Sequence, residues 1–61
     1  MENNLLKKAV MGDENGQYQL GLRYCIRYIP QQAYYWLKKS ANQGNKNAKM
    51  LLEELKVKNL L

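Results

Sequence analysis

Apolar residues recur every three or four positions along the chain, which is the spacing of an amphipathic α-helix. No stretch shows the strict alternation of a half-buried strand, and β-propensity is weak throughout. Glycine, aspartate and proline interrupt the pattern at three places. The sequence therefore predicts an all-α fold with one domain over residues 1–61 and four helices, at about residues 2–11, 14–28, 31–43 and 45–58.

The first predicted helix ends at a glycine. Gly12 follows the apolar pattern directly and is placed to adopt the left-handed conformation that closes many helices. Lys7 and Lys8 lie in the last turn, where cations interact favourably with the helix dipole. The apolar residues of this helix form one stripe that we expect to face the core, made of Leu5, Leu6, Ala9 and Val10.

The second predicted helix begins after Asp13, a residue type that caps helix N-termini. Gly16 and Gly21 lie inside this helix, where each costs roughly 1 kcal/mol relative to alanine. The pair therefore predicts that a neighbouring helix approaches closely. We expect a wide buried face made of two stripes, with Tyr18, Leu22, Cys25 and Ile29 in one and Leu20, Tyr24 and Tyr28 in the other.

Pro30 ends the second predicted helix, because proline disfavours the helical conformation in the residue before it, and it is tolerated at the start of the next helix. Gly44 ends the third helix as Gly12 ends the first. Glu54 and Lys58 form a favourable i, i+4 pair on the fourth. We expect two inner faces, one with Ala33, Trp36, Leu37 and Ser40 or Ala41, and one with Ala48, Leu51, Leu52 and Leu55.

The chain also matches itself at an offset of 32 residues. A fixed period in the range of about 20–50 residues is typical of stacked repeats, whose units are short supersecondary structures that bury a core only when they stack. Such arrays present surfaces for binding. The matching pairs are Leu5 with Leu37, Lys7 with Lys39, Ala9 with Ala41, Gly12 with Gly44, Asn15 with Asn47 and Leu20 with Leu52.

Several short motifs follow one another in a specific order. They are Ala9-x-x-Gly12, Tyr18-x-Leu20-Gly21-x-x-Tyr24, Pro30-Gln31, Ala33-x-x-Trp36, the segment WLKKSANQG that ends at Gly44, and Ala48-x-x-x-Leu52. Together they resemble a Sel-one-like repeat, a branch of the tetratricopeptide-type helical hairpins, over about residues 9–55. The resemblance implies an α-α solenoid fragment of antiparallel helical hairpins that binds proteins and has no catalytic activity.

The chain departs from that family in three places. The loop between its second and third helices is about four residues shorter, and Ile26 to Ile29 stand in place of the family's Gly-x-Gly-Val. Gly16 stands where the family prefers alanine, and Glu53 stands where a glycine would recur. The resemblance therefore implies one complete hairpin flanked by two half-repeats.

Composition narrows the functional classes. The chain has no histidine, five scattered acidic residues and one cysteine, Cys25, which we interpret as a small buried apolar residue. Catalysis, a metal site and a cofactor are therefore not expected. The net charge of +5 favours an acidic partner, either an acidic protein surface or nucleic acid. No apolar run is long enough for a signal peptide or a membrane span, so we expect a cytoplasmic protein that does not bind membranes.

Two surfaces are candidates for binding a partner. One is a polar ridge on the second helix, and the other is a set of aromatic and basic residues on the third, where adjacent tyrosines cannot both face inward. We expect a protein-interaction module, an adaptor or an inhibitor; the alternative is a small nucleic-acid-associated protein whose tyrosines stack on bases. The candidate binding residues are Gln19, Arg23, Arg27, Tyr34, Tyr35 and Lys38.

The last predicted helix offers an edge for self-association. A chain with fewer than about three repeat units does not bury a continuous core by itself. Either the flanking helices act as caps, or another copy of the chain or a different partner completes the core. Another copy would form a homo-oligomer through the C-terminal helix. The exposed residues expected at this edge are Met50, Val57, Leu60 and Leu61.

Overall fold

The computed structural model describes residues 2–58, which form four α-helices joined by three-residue turns. They are α1 (Glu2–Val10), α2 (Glu14–Ile26), α3 (Pro30–Asn42) and α4 (Lys46–Val57). The predicted all-α fold is confirmed, and each predicted helix boundary is within two residues of the observed one. None of the helices in residues 2–58 has the length and hydropathy needed to cross a bilayer.

All three turns have the same geometry, which is the Schellman motif. In each, one residue has a positive φ: Gly12 at 101°, Tyr28 at 59° and Gly44 at 97°. The amide of that residue donates to the carbonyl three positions earlier, and the next amide donates to the carbonyl five positions earlier, at N–O distances of 2.9–3.2 Å. The predicted left-handed glycines are thereby confirmed, and the middle turn uses a tyrosine instead.

Side-chain caps start two of the helices. The Asp13 carboxylate accepts a hydrogen bond from the amide of Asn15 at 3.1 Å, and the Asn45 side-chain oxygen accepts one from the amide of Ala48 at 2.8 Å. The two caps have nearly the same backbone angles, with φ and ψ of −71° and 113° at Asp13 and −69° and 112° at Asn45. Asp13 and Asn45 are 32 residues apart, so α2 and α4 begin at equivalent positions of the self-match.

Consecutive helices pack against one another, and the packing is most extensive between α2 and α3. A Cβ atom added at Gly21 would lie 2.7 Å from Leu37 Cγ and 3.2 Å from the Leu37 backbone nitrogen. A Cβ added at Gly16 would lie 3.0 Å from Lys8 Cβ and 3.2 Å from the backbone nitrogen of Ala9 in α1. The close approach predicted from the two glycines is confirmed.

The core consists of two apolar clusters along the helix stack. Ala9, Leu20 and Trp36 form the first, between α1, α2 and α3. The second lies between α3 and α4 and continues onto α2; its fully buried members are Ala33, Leu37 and Ala48, and the half-buried residues packed on them are Tyr18, Tyr24, Cys25, Ala41, Leu51, Leu52 and Leu55.

Parts of the predicted apolar faces are wrong. Leu6 and Val10 are 45% and 68% exposed, because α1 packs on α2 with one side only and both residues lie on the open side. Tyr28 is 87% exposed and Ile29 is 39% exposed. The helical stripes were extended to residues 28 and 29, but α2 ends at Ile26, so helical periodicity no longer determines where these side chains point.

Polar side chains join the first and third turns. Ser40 Oγ donates to the Glu14 carbonyl at 2.7 Å, and Asn45 Nδ2 donates to the Glu14 carboxylate. Gln43 Nε2 donates to the Gly12 carbonyl and to Gln17 Oε1, both at 2.9 Å. The fully buried Ser40 and the nearly buried Gln17 therefore have partners, and the two hairpins are held together at this end of the bundle.

Candidate functional site

The outer face of α3 carries the predicted pair of tyrosines. Tyr34 and Tyr35 are 37% and 51% exposed, which confirms that at least one faces solvent. Lys38 Nζ donates to the Tyr34 hydroxyl at 3.1 Å and lies 5.4 Å from the centre of its ring. Lys39 Nζ lies 5.3 Å from the centre of the Tyr35 ring. Two positive charges are thus held beside two exposed aromatic surfaces.

Tyr35 also forms one wall of a pocket between α1 and α3. Its ring meets Trp36 edge to face, with 4.9 Å between the ring centres. The pocket has a volume of about 200 Å³, below the roughly 300–1,000 Å³ of small-molecule sites. It is of a size to accept a side chain of another molecule. Its lining residues are Ala9, Val10, Gly12, Gln17, Tyr35, Trp36 and Lys39.

The Gln17 amide and the Ala9 and Gly12 carbonyls, which line the pocket, are hydrogen-bonded within the protein. Gln17 Nε2 donates to the Ala9 carbonyl at 3.1 Å, and Gln17 Oε1 accepts from Gln43. The Gly12 carbonyl accepts from Gln43 as well. The surface that lines the pocket is part polar and part apolar, and Val10, Tyr35, Trp36 and Lys39 contribute to it. An apolar side chain near a negative charge is the ligand that best complements this surface.

The helices that form the pocket carry an excess of positive charge. α1 and α3 contain four lysines and one acidic residue, Glu2. The acidic residues that follow α1 are Asp13, which caps α2, and Glu14, the first residue of α2, which accepts from Asn45. The net positive charge of α1 and α3 favours a partner with negative charge.

The polar ridge of α2 lies on a different face. Gln19, Arg23 and Arg27 are exposed, as expected. An α-helix turns by about 100° per residue. Counted from Gly21, which contacts α3, the three ridge positions lie about 160–240° around α2, on the side opposite to α3. Tyr35 lies about 160° around α3 from Leu37. The ridge and the pocket thus point away from each other, and the six candidate residues do not form one site.

Two observations on residues 2–58 concern metal binding and the reactivity of the thiol. No cluster of three or more potential metal ligands is present among these residues. Burial raises the pKa of the Cys25 thiol above its usual value, so the neutral thiol is favoured over the nucleophilic thiolate. Cys25 packs beside the second core cluster, in agreement with its predicted role as a small apolar residue.

Two groups of exposed residues were missed by the sequence analysis. Val10 and Lys39 line the pocket, and Ile26 and Tyr28 project around the middle turn. The 32-residue self-match paired Lys39 with Lys7, but a sequence match does not indicate that Lys39 lies at a pocket. The signal for Val10 was ambiguous, because an apolar stripe has the same spacing whether it faces a core or a partner.

Comparison with protein-family models, with curated proteins and with solved structures gives no significant match. The resemblance to Sel-one-like repeats therefore stays a prediction based on the sequence motifs.

Proposed function

We propose that this protein is a protein-interaction module, an adaptor or an inhibitor, which binds through the α1–α3 face. The observation that supports this function is the pocket between these helices, which the exposed Val10 and Tyr35 line together with Trp36 and Lys39. A partner fits if it inserts an apolar side chain and places carboxylates near the lysines. Aromatic residues with adjacent cations are common anchors of protein interfaces.

The remaining properties are consistent with binding without catalysis. A neutral, half-buried thiol and dispersed acidic residues do not assemble a nucleophile with a base. The resemblance to Sel-one-like repeats, which implies protein binding, supports the same proposal. In this proposal the protein needs no cofactor, and the net charge of +5 serves to attract an acidic partner.

Affinity capture from the native lysate tests the proposal. The tagged protein is incubated with lysate with and without nuclease, at low and high salt, and retained proteins are identified by mass spectrometry. We expect one protein in stoichiometric amount that survives nuclease treatment. Failure to retain any protein under all four conditions would contradict the proposed function.

Matched variants test the face. Val10→Asp places a carboxylate at the pocket, and Val57→Asp places one at the end of α4; both valines end a helix and are 68% and 81% exposed. We expect Val10→Asp and Tyr35→Ala to weaken binding of the captured protein by about tenfold, or 1.4 kcal/mol, with unchanged helicity by circular dichroism. Measured at a concentration where the protein is monomeric, Val57→Asp should bind like the wild type. If Arg23→Ala weakens binding of the captured protein and the two pocket variants do not, binding is assigned to the polar ridge of α2.

Nucleic acid is the second candidate partner, because Tyr34, Tyr35, Lys38 and Lys39 combine stacking surfaces with positive charge on one helix. A nucleic-acid complex would weaken steeply with salt, since phosphate contacts release counterions. Fluorescence anisotropy with labelled single-stranded RNA and DNA at several salt concentrations measures this slope. Capture that collapses with nuclease, together with a steep slope, would favour this function over protein binding.

A further inference from the structure

The middle turn, residues 27–29 between α2 and α3, has the least favourable backbone of the three turns. Its left-handed residue is Tyr28, with a φ of 59°, whereas the other two turns use Gly12 and Gly44. Glycine adopts positive φ freely, but a side chain brings its Cβ atom too close to the following carbonyl oxygen. Packing of the tyrosine ring does not offset this strain, because the side chain is 87% exposed.

The helix that follows the middle turn also lacks a side-chain cap. Asp13 and Asn45 cap α2 and α4, but the N-cap of α3 is Ile29, which makes no such hydrogen bond. Ile29 is not helical, with φ and ψ of −114° and 81°, and Pro30 after it disfavours the helical conformation there. Rotation of the Tyr28 backbone into the extended region, which tyrosine favours, therefore relieves the strain and opens the turn.

The contacts between the two hairpins do not require the middle turn. One hairpin is α1 with α2, the other is α3 with α4, and they meet mainly through α2 and α3. The contacts include the fit of Gly21 against Leu37 and the hydrogen bonds that join Glu14 to Ser40 and Asn45. Each joins a residue before the turn to a residue after it, so two copies with open turns form the same contacts by exchanging hairpins.

We propose that a second copy of the chain is a partner of this protein, and that the two copies exchange hairpins across open middle turns to form a domain-swapped dimer. The hairpin α1–α2 of one copy packs on the hairpin α3–α4 of the other. Exchange of an identical element is a low-cost route to a dimer, and a short, strained hinge favours it. Opening relieves the strain at Tyr28 in both chains, which favours the swapped form over the closed monomer.

In the swapped dimer each α1–α3 pocket is built from both copies. Val10 and Gln17 lie before the middle turn and come from one chain. Tyr35, Trp36 and Lys39 lie after it and come from the other. A partner that carries the ligand twice therefore binds the dimer more tightly than the monomer. This consequence rests on the proposed protein-binding function, whereas the exchange itself does not.

Substitutions at position 28 test the exchange. A short linker holds its two ends at an effective concentration on the order of 1 mM, so each variant is refolded from urea at protein concentrations below and above that value. Sedimentation equilibrium measures the fraction of dimer. We expect dimer for the wild type and more of it for Tyr28→Val, since a β-branched residue tolerates positive φ least. Tyr28→Gly removes the strain and should raise the dissociation constant of the dimer about tenfold or more.

Tyr28→Ala is the matched control for Tyr28→Gly. Both substitutions remove the ring, but only alanine keeps a Cβ atom at positive φ. We expect Tyr28→Ala to dimerise like the wild type. Equal dimerisation of the alanine and glycine variants would show that strain at this turn plays no part and would overturn the proposal. A monomer at every concentration for the wild type and Tyr28→Val would overturn it as well.

Met50→Lys separates the exchange from pairing through the exposed side of α4. Met50 is 69% exposed and takes no part in the contacts between the hairpins named above. We expect Met50→Lys to leave the swapped dimer intact. Loss of the dimer in this variant would assign the association to α4 and overturn the exchange.

A mixture of two variants tests the composite pocket. When Val10→Asp and Tyr35→Ala copies are refolded together, exchange places the unchanged Val10 of one copy beside the unchanged Tyr35 of the other. We expect the mixture to bind the captured protein with wild-type affinity at a fraction of its sites, which neither variant does alone. No regained binding in a mixture that contains dimers would overturn the swapped arrangement. If the wild type captures no protein, the proposed function fails, and the dimerisation of the position-28 variants still decides the exchange.

Discussion

Gly21 is the residue on which the α2–α3 contact depends most directly. Its missing side chain lets Leu37 approach to a distance that no Cβ atom tolerates, and Leu37 is fully buried with its backbone nitrogen near the same point. The sequence indicated this contact because glycine inside a helix has a known cost that packing must offset. The partner residue was not predictable, since it depends on how far α3 is shifted along α2.

We predict that Gly21→Ala destabilises the protein by up to about 2 kcal/mol. Overpacking a core costs about 1–3 kcal/mol, and the gain in helix propensity returns roughly 1 kcal/mol at most. Thermal unfolding followed by circular dichroism measures the change, expected as a fall in Tm of about 4–8 °C per kcal/mol. Gln19→Ala, on the exposed side of α2, is the control and should change stability by less than about 0.5 kcal/mol. A more stable Gly21→Ala would contradict the observed packing.

The helices and turns were the most predictable part of the molecule. Gly12, Asp13, Pro30 and Gly44 act locally, through backbone conformation and capping, so their effects could be deduced from the sequence. Burial was less predictable. Gln17 is buried because Ala9 and Gln43 satisfy its amide, and Val10 is exposed because no helix covers that side of α1. Both outcomes depend on which elements become neighbours.

The N-caps of α2 and α4, Asp13 and Asn45, can be compared to measure how much the hydrogen bond between the two hairpins contributes to stability. Asp13 caps α2 alone, whereas Asn45 caps α4 and also donates to Glu14. We expect Asp13→Ala to cost about 1 kcal/mol and Asn45→Ala about 2 kcal/mol, since the second substitution also removes a hydrogen bond to a charged group. Urea unfolding measures both. Equal losses would show that the bond to Glu14 contributes nothing to stability.

Asn45→Asp separates the two roles of the cap. The substituted carboxylate still accepts from the Ala48 amide, but it cannot donate to Glu14 and brings a second negative charge beside it. We expect the stability of this variant to fall even though the cap is retained. A stability equal to that of the wild type would assign the effect of Asn45→Ala to capping alone.

At the scale of the whole molecule, the exposed side of α4 is the surface that the sequence analysis predicts for self-association. Met50 and Val57 are 69% and 81% exposed, as predicted, while Leu60 and Leu61 lie outside the described residues. We predict that Tm rises with protein concentration, because association stabilises only the folded state. Met50→Lys should remove this dependence. A constant Tm across a wide concentration range, with a monomer in sedimentation equilibrium, would contradict self-association.

The fit between Gly21 and Leu37 also limits how large such an assembly grows. Position 53 lies 32 residues after Gly21, on a helix whose cap has the same backbone angles as that of α2, and it holds a glutamate. A further helix packed on α4 as α3 packs on α2 would press a leucine against Glu53 and bury its carboxylate, which is strongly unfavourable. Head-to-tail stacking of copies in this geometry would therefore be unfavourable. If copies pair through Met50 and Val57, we expect a closed, twofold arrangement, which does not extend into filaments.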